Sequence, residues 1–162
     1  MIEIDTHLLD ALTEKAKGSP RLRMNHNFHS SMDDTMHRML NAMEPGTYVQ
    51  PHKHENPDKT EAFIILRGTI AIIKFSDDGL PLSCHILNSS RGLLGLEIPP
   101  RTWHSLISLE TGSIVYELKH GPYQVSTDKN FAPWAPAENV PEAAFYLSDL
   151  IKTFKLEVYE PQ

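Results

Sequence analysis

The stretch that decides the fold reads Gly46-Thr47-Tyr48-Val49-Gln50-Pro51-His52-Lys53-His54-Glu55-Asn56-Pro57-Asp58-Lys59-Thr60-Glu61-Ala62-Phe63-Ile64-Ile65-Leu66-Arg67-Gly68. In an extended chain, side chains two apart share a face. His52 and His54 therefore converge, and Tyr48 and Gln50 join them if the strand runs unbroken through Pro51. Glu61 opens the next strand, so a return across the Glu55 to Thr60 turn brings its carboxylate beside the imidazoles. His104 follows Pro99-Pro100-Arg101-Thr102-Trp103 at the start of a later strand and supplies a fourth group. A His-x-His pair alone is commonly a surface coincidence. With Glu61 and His104 it reads as a site for one divalent transition metal, for which imidazole and carboxylate are suitable ligands. Such a set leaves positions open for water or substrate. Zinc, iron, manganese and nickel all remain open.

Outward from this stretch, short strands alternate with turns. Candidate strands are Arg21 to Phe28, Met36 to Met43, Thr47 to His54, Ala62 to Leu66, Thr69 to Phe75, Leu82 to Leu87, Leu93 to Ile98, Trp103 to Leu109 and Ser113 to Leu118. Asp77-Asp78-Gly79 marks a hairpin. This spacing predicts an all-β sandwich or barrel over about 21–120. Helical periodicity appears only near the ends. Asp5-Thr6 caps a helix over about 5–17, stopped by Gly18-Ser19-Pro20, and Pro141 opens another over about 140–155. Between barrel and second helix, 121–139 is a Pro-rich connector. Its Tyr123, Phe131 and Trp134 call for burial. The 162 residues are read as one domain.

Bulk properties exclude several classes. The net charge of −6 argues against nucleic-acid or anionic-membrane partners. No apolar run approaches the roughly 20 residues of a membrane span. Met1-Ile2-Glu3-Ile4-Asp5 lacks the regions of a signal peptide, so a soluble, cytoplasmic protein is expected. The single cysteine, Cys84, reads as a small strand residue. Open sheets and amphipathic ends predict a homodimer.

The spacing Gly, five residues, His-x-His, a Glu and a later Gly resembles the first motif of the cupins. Six residues separate His54 from Glu61, where that motif has three or four. Pro99 and His104 match the second cupin motif, but Arg101 stands where it has Gly and Ser108 where it has Asn. The resemblance implies a jelly-roll barrel, the double-stranded β-helix, with the metal inside. Arg23-Met24-Asn25-His26-Asn27, His37-Arg38-Met39-Leu40, Glu97-Ile98-Pro99 and the run Asp128 to Pro136 are similar to the WbuC-type cupin metalloproteins. That bacterial group is associated with surface-polysaccharide gene clusters, which implies a sugar or nucleotide sugar as small-molecule ligand.

Three functions remain open. The first is a metal-dependent isomerase, epimerase or hydrolase acting on a small polar molecule. The second is an iron-dependent dioxygenase. The third is a non-catalytic sugar-binding or regulatory module, which the lack of an obvious general acid or base beyond the ligands keeps alive. Arg23, Asn25 and Asn27 form a polar stripe that is either a solvated strand face or the lining of the barrel mouth. Tyr48 either meets the ligand or fills the core. Arg23, Asn25 and Tyr48 are the candidate substrate-binding residues.

Overall fold

A computed structural model describes residues 1–124 and 128–159 of the chain. Residues 125–127 of the expected connector, and the last three of the tail, lie outside the described residues. Two five-stranded antiparallel sheets face each other, as expected for a cupin jelly roll. One runs β1 (Arg23–Asn27), β2 (Met36–Met43), β9 (Ser113–His120), β4 (Glu61–Arg67) and β7 (Gly95–Ile98). The other runs β10 (Asn130–Phe131), β3 (His52–Lys53), β8 (His104–Ser108), β5 (Thr69–Phe75) and β6 (Pro81–Asn88). β5 and β6 form the hairpin around Asp77-Asp78-Gly79.

Each sheet has its outer face covered by a terminal helix. α1 (Thr6–Lys17) starts where the Asp5 side chain accepts the Leu8 amide proton at 2.8 Å. Its Leu9, Leu12 and Ala16 pack on Leu40, Ala42 and Ile114 of the first sheet. α2 (Glu142–Thr153) lays Ala143, Leu147 and Leu150 against Ile73, Phe75, Trp103 and Ile107 of the second. Cys84 lies half-buried beside that cluster, where burial pushes its thiol up to about 11. Between the sheets, Phe63, Ile65, Ile70, Ile72, Leu87 and Val115 fill one end of the barrel. No helix among the described residues is long and apolar enough to cross a membrane.

The expected strand Thr47 to His54 is reduced to His52–Lys53. Pro51 has no amide proton for a ladder, and the residues before it bond instead to the connector. The connector itself adds a strand: Phe131 of β10 pairs with His52.

In β9 the charged residues face inward. Ile114 lies under α1 and Tyr116 packs beside it, while Val115, Glu117 and Lys119 are buried toward the barrel interior. The same holds in β1, where Met24 packs toward α1 and Arg23, Asn25 and Asn27 line the interior. One end of the barrel is therefore a polar cavity.

The glycine that closes the opening stretch has a steric reason. Gly68 has φ +76, and a Cβ there would lie 2.9 Å from Ser113 Cα. Gly92 has a similar φ of +74 but open space around it. Gly92→Ala is expected to cost about 1–2 kcal/mol from backbone strain alone. Gly68→Ala carries the same strain plus a backbone clash, so urea denaturation will show the larger loss for Gly68→Ala.

Candidate metal centre

His52, His54, Glu61 and His104 come together from four places in the chain. His52 and His104 are paired residues of β3 and β8. His54 lies just beyond β3, and Glu61 starts β4 in the opposite sheet. All four are buried, and one ligand atom from each lies within 4.8 Å of the others.

The tautomers of the three imidazoles are set by their partners. His52 Nδ1 lies 2.9 Å from the Gln50 carbonyl, His104 Nδ1 lies 2.9 Å from the Thr102 carbonyl, and His54 Nδ1 meets the Asp128 carbonyl. A carbonyl only accepts, so each Nδ1 carries the proton and each Nε2 presents a lone pair. His54 Nε2 lies 2.9 Å from Glu61 Oε1, and His104 Nε2 lies 3.0 Å from Glu61 Oε2. His54 Nε2, His104 Nε2 and Glu61 Oε2 are buried without a hydrogen-bond partner. Lone pairs thus face a carboxylate at close range, an arrangement that a shared cation resolves. Outer hydrogen bonds that orient ligating histidines in this way are the usual accompaniment of a metal centre. The donor set fits a divalent transition metal.

Electrostatics agree with that fit. Burial, with help from Lys129 and His104, pushes His52 well below the ordinary histidine range, so it is a neutral imidazole. Burial opposes the Glu61 charge, and donors on the flanking His104 and His54 would be needed to hold it well below the usual range, a role that rings protonated on Nδ1 leave to a cation.

Beside the cluster lies a cavity of about 440 Å³, lined by His52 and Glu61 on one side. That volume lies toward the lower end of the roughly 300–1,000 Å³ of small-molecule sites. Asn25, Asn27, His29, Asn41, Glu117, Lys119 and Lys129 supply much of its polar lining. Glu117 is raised by burial and by the Glu61 charge, although Lys119 works against the shift; the Asn41 amide donates to its Oε2. Lys129 is lowered by burial and by Lys119.

The polar stripe lines the cavity, but the Arg23 guanidinium is already occupied. It donates to the Tyr48 carbonyl at 2.6 Å and to both Glu138 oxygens at 2.7 Å. Tyr48 does not line the cavity. Its ring packs with Phe75 and Trp103, its hydroxyl donates to the Pro136 carbonyl at 2.8 Å, and the broken strand before Pro51 removes the shared face with His52. Trp134 packs against Phe75 and Trp103, pinning the connector to the barrel.

The connector acts as a strap across the barrel. Asp128, 2% exposed, takes Lys59 Nζ on one oxygen and Lys119 Nζ on the other, both at 2.9 Å. Its carbonyl holds His54. Arg101, in the place of the cupin glycine, adopts φ +63. Its amide donates to the His54 carbonyl at 3.0 Å and its guanidinium bonds Asp58, so it takes the glycine conformation. Ser108, in the place of the cupin Asn, ties β8 to β2 through the Met43 carbonyl.

Glu117, Lys119, Asp128 and Lys129 are polar groups of the site to which the sequence assigned no role, and His29, near the polar stripe in sequence, joins them. In Ser113 to His120 the apolar 114, 116 and 118 suggest the core face, whereas the polar face is the inner one. The visible clue was a charge pair, Glu117 and Lys119, sharing a face with Val115.

Residues 4–87 match a family described as a domain of unknown function (DUF6016). The chain belongs to this family. A search of curated proteins finds no match. Among solved structures, the capsular polysaccharide assembling protein CapF from Staphylococcus aureus is similar over 66% of this chain, with TM-score 0.55 and 18% identity. The chain spans only 28% of that CapF chain. Oxalate oxidase in complex with the substrate analogue glycolate is similar over 88% of this chain and 70% of its own, with TM-score 0.51 and 13% identity. KdgF from Halomonas sp. covers 67% of this chain and 86% of its own, with TM-score 0.50 and 17% identity. At these identities the likeness is one of fold, and the fold is that of the cupins.

Two outcomes are expected. Asp128→Asn leaves Lys59 buried without its charge partner and Lys119 with only the Glu61 and Glu117 carboxylates at 3.8 Å, and will lower unfolding stability by about 3–5 kcal/mol, read by chemical denaturation. In metal-stripped protein, stability will fall as pH drops below about 6.5. In that window the unfolded chain binds a proton that folded His52 refuses. Denaturation midpoints from about pH 7 to about pH 5 will show the slope, and His52→Asn will flatten it.

Proposed function

We propose that the protein is a metal-dependent enzyme acting on a small polar molecule, with His52, His54, Glu61 and His104 holding one divalent ion. The observation that carries this reading is the buried cluster of Nε2 and carboxylate lone pairs, each imidazole anchored through Nδ1, at one wall of a polar cavity. Once bound there, such an ion supplies a Lewis acid for a ligand oxygen.

The chain's own residues favour an enzyme over a passive binding module. Glu117 is a buried carboxyl in the cavity, and burial together with the Glu61 charge raises its pKa, the direction that suits a group that holds or moves a proton. Asn41 fixes its orientation. Lys119, held by Asp128, steadies the Glu117 and Glu61 charges from 3.8 Å. Asn25 and Asn27 offer amide groups to ligand hydroxyls. This equipment suits isomerisation, epimerisation or hydrolysis of a sugar or nucleotide sugar. The resemblance to WbuC-type proteins and the likeness to CapF support that substrate class by association.

Protein purified from its host is expected to carry about one divalent transition metal per chain, measured by elemental analysis, and Glu61→Gln and His104→Ala to lose it. On a panel of sugars and nucleotide sugars, Glu117→Gln should lower turnover by about 10²-fold or more while keeping the metal. Oxygen uptake that requires iron would establish a dioxygenase instead. Ligand binding without turnover would establish a binding module.

A further inference from the structure

Two cavity-lining groups outside the ligand cluster, His29 and Lys129, are not used by the metal centre. His29 Nδ1 lies 3.1 Å from the Arg38 carbonyl, which also accepts from the Phe28 N–H at 2.8 Å. Arg38 N–H donates to His29 Nδ1 at 3.2 Å, taking the place of a ladder bond. Where the Arg38 amide is the donor, Nδ1 accepts and Nε2 carries the proton, and this is the tautomer the proposal requires. His29 is 8% exposed, its ring stacks on His37 at 4.1 Å, and its Nε2 is buried without a partner in a residue that lines the cavity. Lys129 also lines the cavity, and its ammonium has no carboxylate within ion-pair distance among the described residues.

Charge matching points the same way. In the charge network beneath the cavity, the cations Arg23, Lys59, Lys119 and Lys129 are matched in number by the carboxylates Glu61, Glu117, Asp128 and Glu138, with exposed Arg21 as a further cation at the cavity edge. A divalent ion among the imidazoles leaves two positive charges without counter-ions. Deprotonating Lys129 would reduce that excess to one and protonating Glu117 would enlarge it; it stays positive either way. Buried charge without a counter-ion is costly.

Building on the metal-centre reading, we propose that the ligand is an anion, a carboxylate or phosphate compound, whose acidic group is received by Lys129 Nζ and His29 Nε2 while another oxygen lies toward the ligand cluster. Arg23 is not the anion receptor, because Glu138 already occupies its guanidinium. Within the sugars and nucleotide sugars, this selects those bearing an acidic group. A neutral sugar would leave the excess charge uncompensated.

The test uses metal-loaded protein dialysed free of excess ion, with metal content measured in every sample. Malonate and inorganic phosphate are titrated against glucose by calorimetry. The anions are expected to bind about tenfold or more tightly than glucose. Lys129→Met and His29→Phe, the second keeping the stack on His37, are expected to weaken anion binding by about tenfold with metal content unchanged, and Lys129→Arg to restore part of it. Metal-loaded protein that binds neither anion, binds glucose as tightly, or is indifferent to both variants overturns the proposal and leaves the metal centre standing. Protein that retains no metal overturns both.

Discussion

Three Nδ1–H groups donating to main-chain carbonyls are the constraint on which the site depends. They decide the imidazole tautomers, and the tautomers decide where the lone pairs point. Two of the carbonyls, at Gln50 and Thr102, lie two residues before the histidine they hold, so local backbone shape suffices. The third belongs to Asp128, far along the chain. One ligand is thus oriented by the strap. Glu61 completes the set from the opposite sheet, so the cluster sits between the two layers that define the fold.

The strap is more than an appendage. Its Asp128 carboxylate bonds two buried lysines, and its Phe131 adds a strand beside His52. Tyr48 and Gln50 donate to Pro136, Ala132 and Ala135 carbonyls, which extends the attachment over the broken strand before Pro51. Residues that look like ligand contacts from the sequence are in this way spent on holding the strap.

Much of the fold was legible because its determinants are local. Asp5 as a cap, Asp77-Asp78-Gly79 as a hairpin and the His-x-His spacing each act over a few residues. The convergence of His104 on the earlier histidines was legible only because two motifs could be recognised separately. What could not be read depends on distant partners. Nothing near Arg23 in sequence announces Glu138, and nothing near Lys59 announces Asp128. The inner face of β9 was misleading because alternation tells which residues share a face, not which face is covered by α1. The glycine-like conformation of Arg101 was also hidden, since Asp58 and the His54 carbonyl that hold it lie more than forty residues away.

The reversed polarity of β9 has a consequence for how the chain avoids alternative pairings. A slip of one residue against β2 and β4 would turn Glu117 and Lys119 toward the apolar surface of α1 and put Ile114 and Tyr116 into the polar cavity. Both faces would be mismatched at once. A strand with one buried and one wetted face is penalised on one side for such a slip; here the penalty falls on both. The charged interior that serves ligand chemistry therefore also serves as a register lock, so loss of those charges would reach beyond the cavity into the uniqueness of the fold.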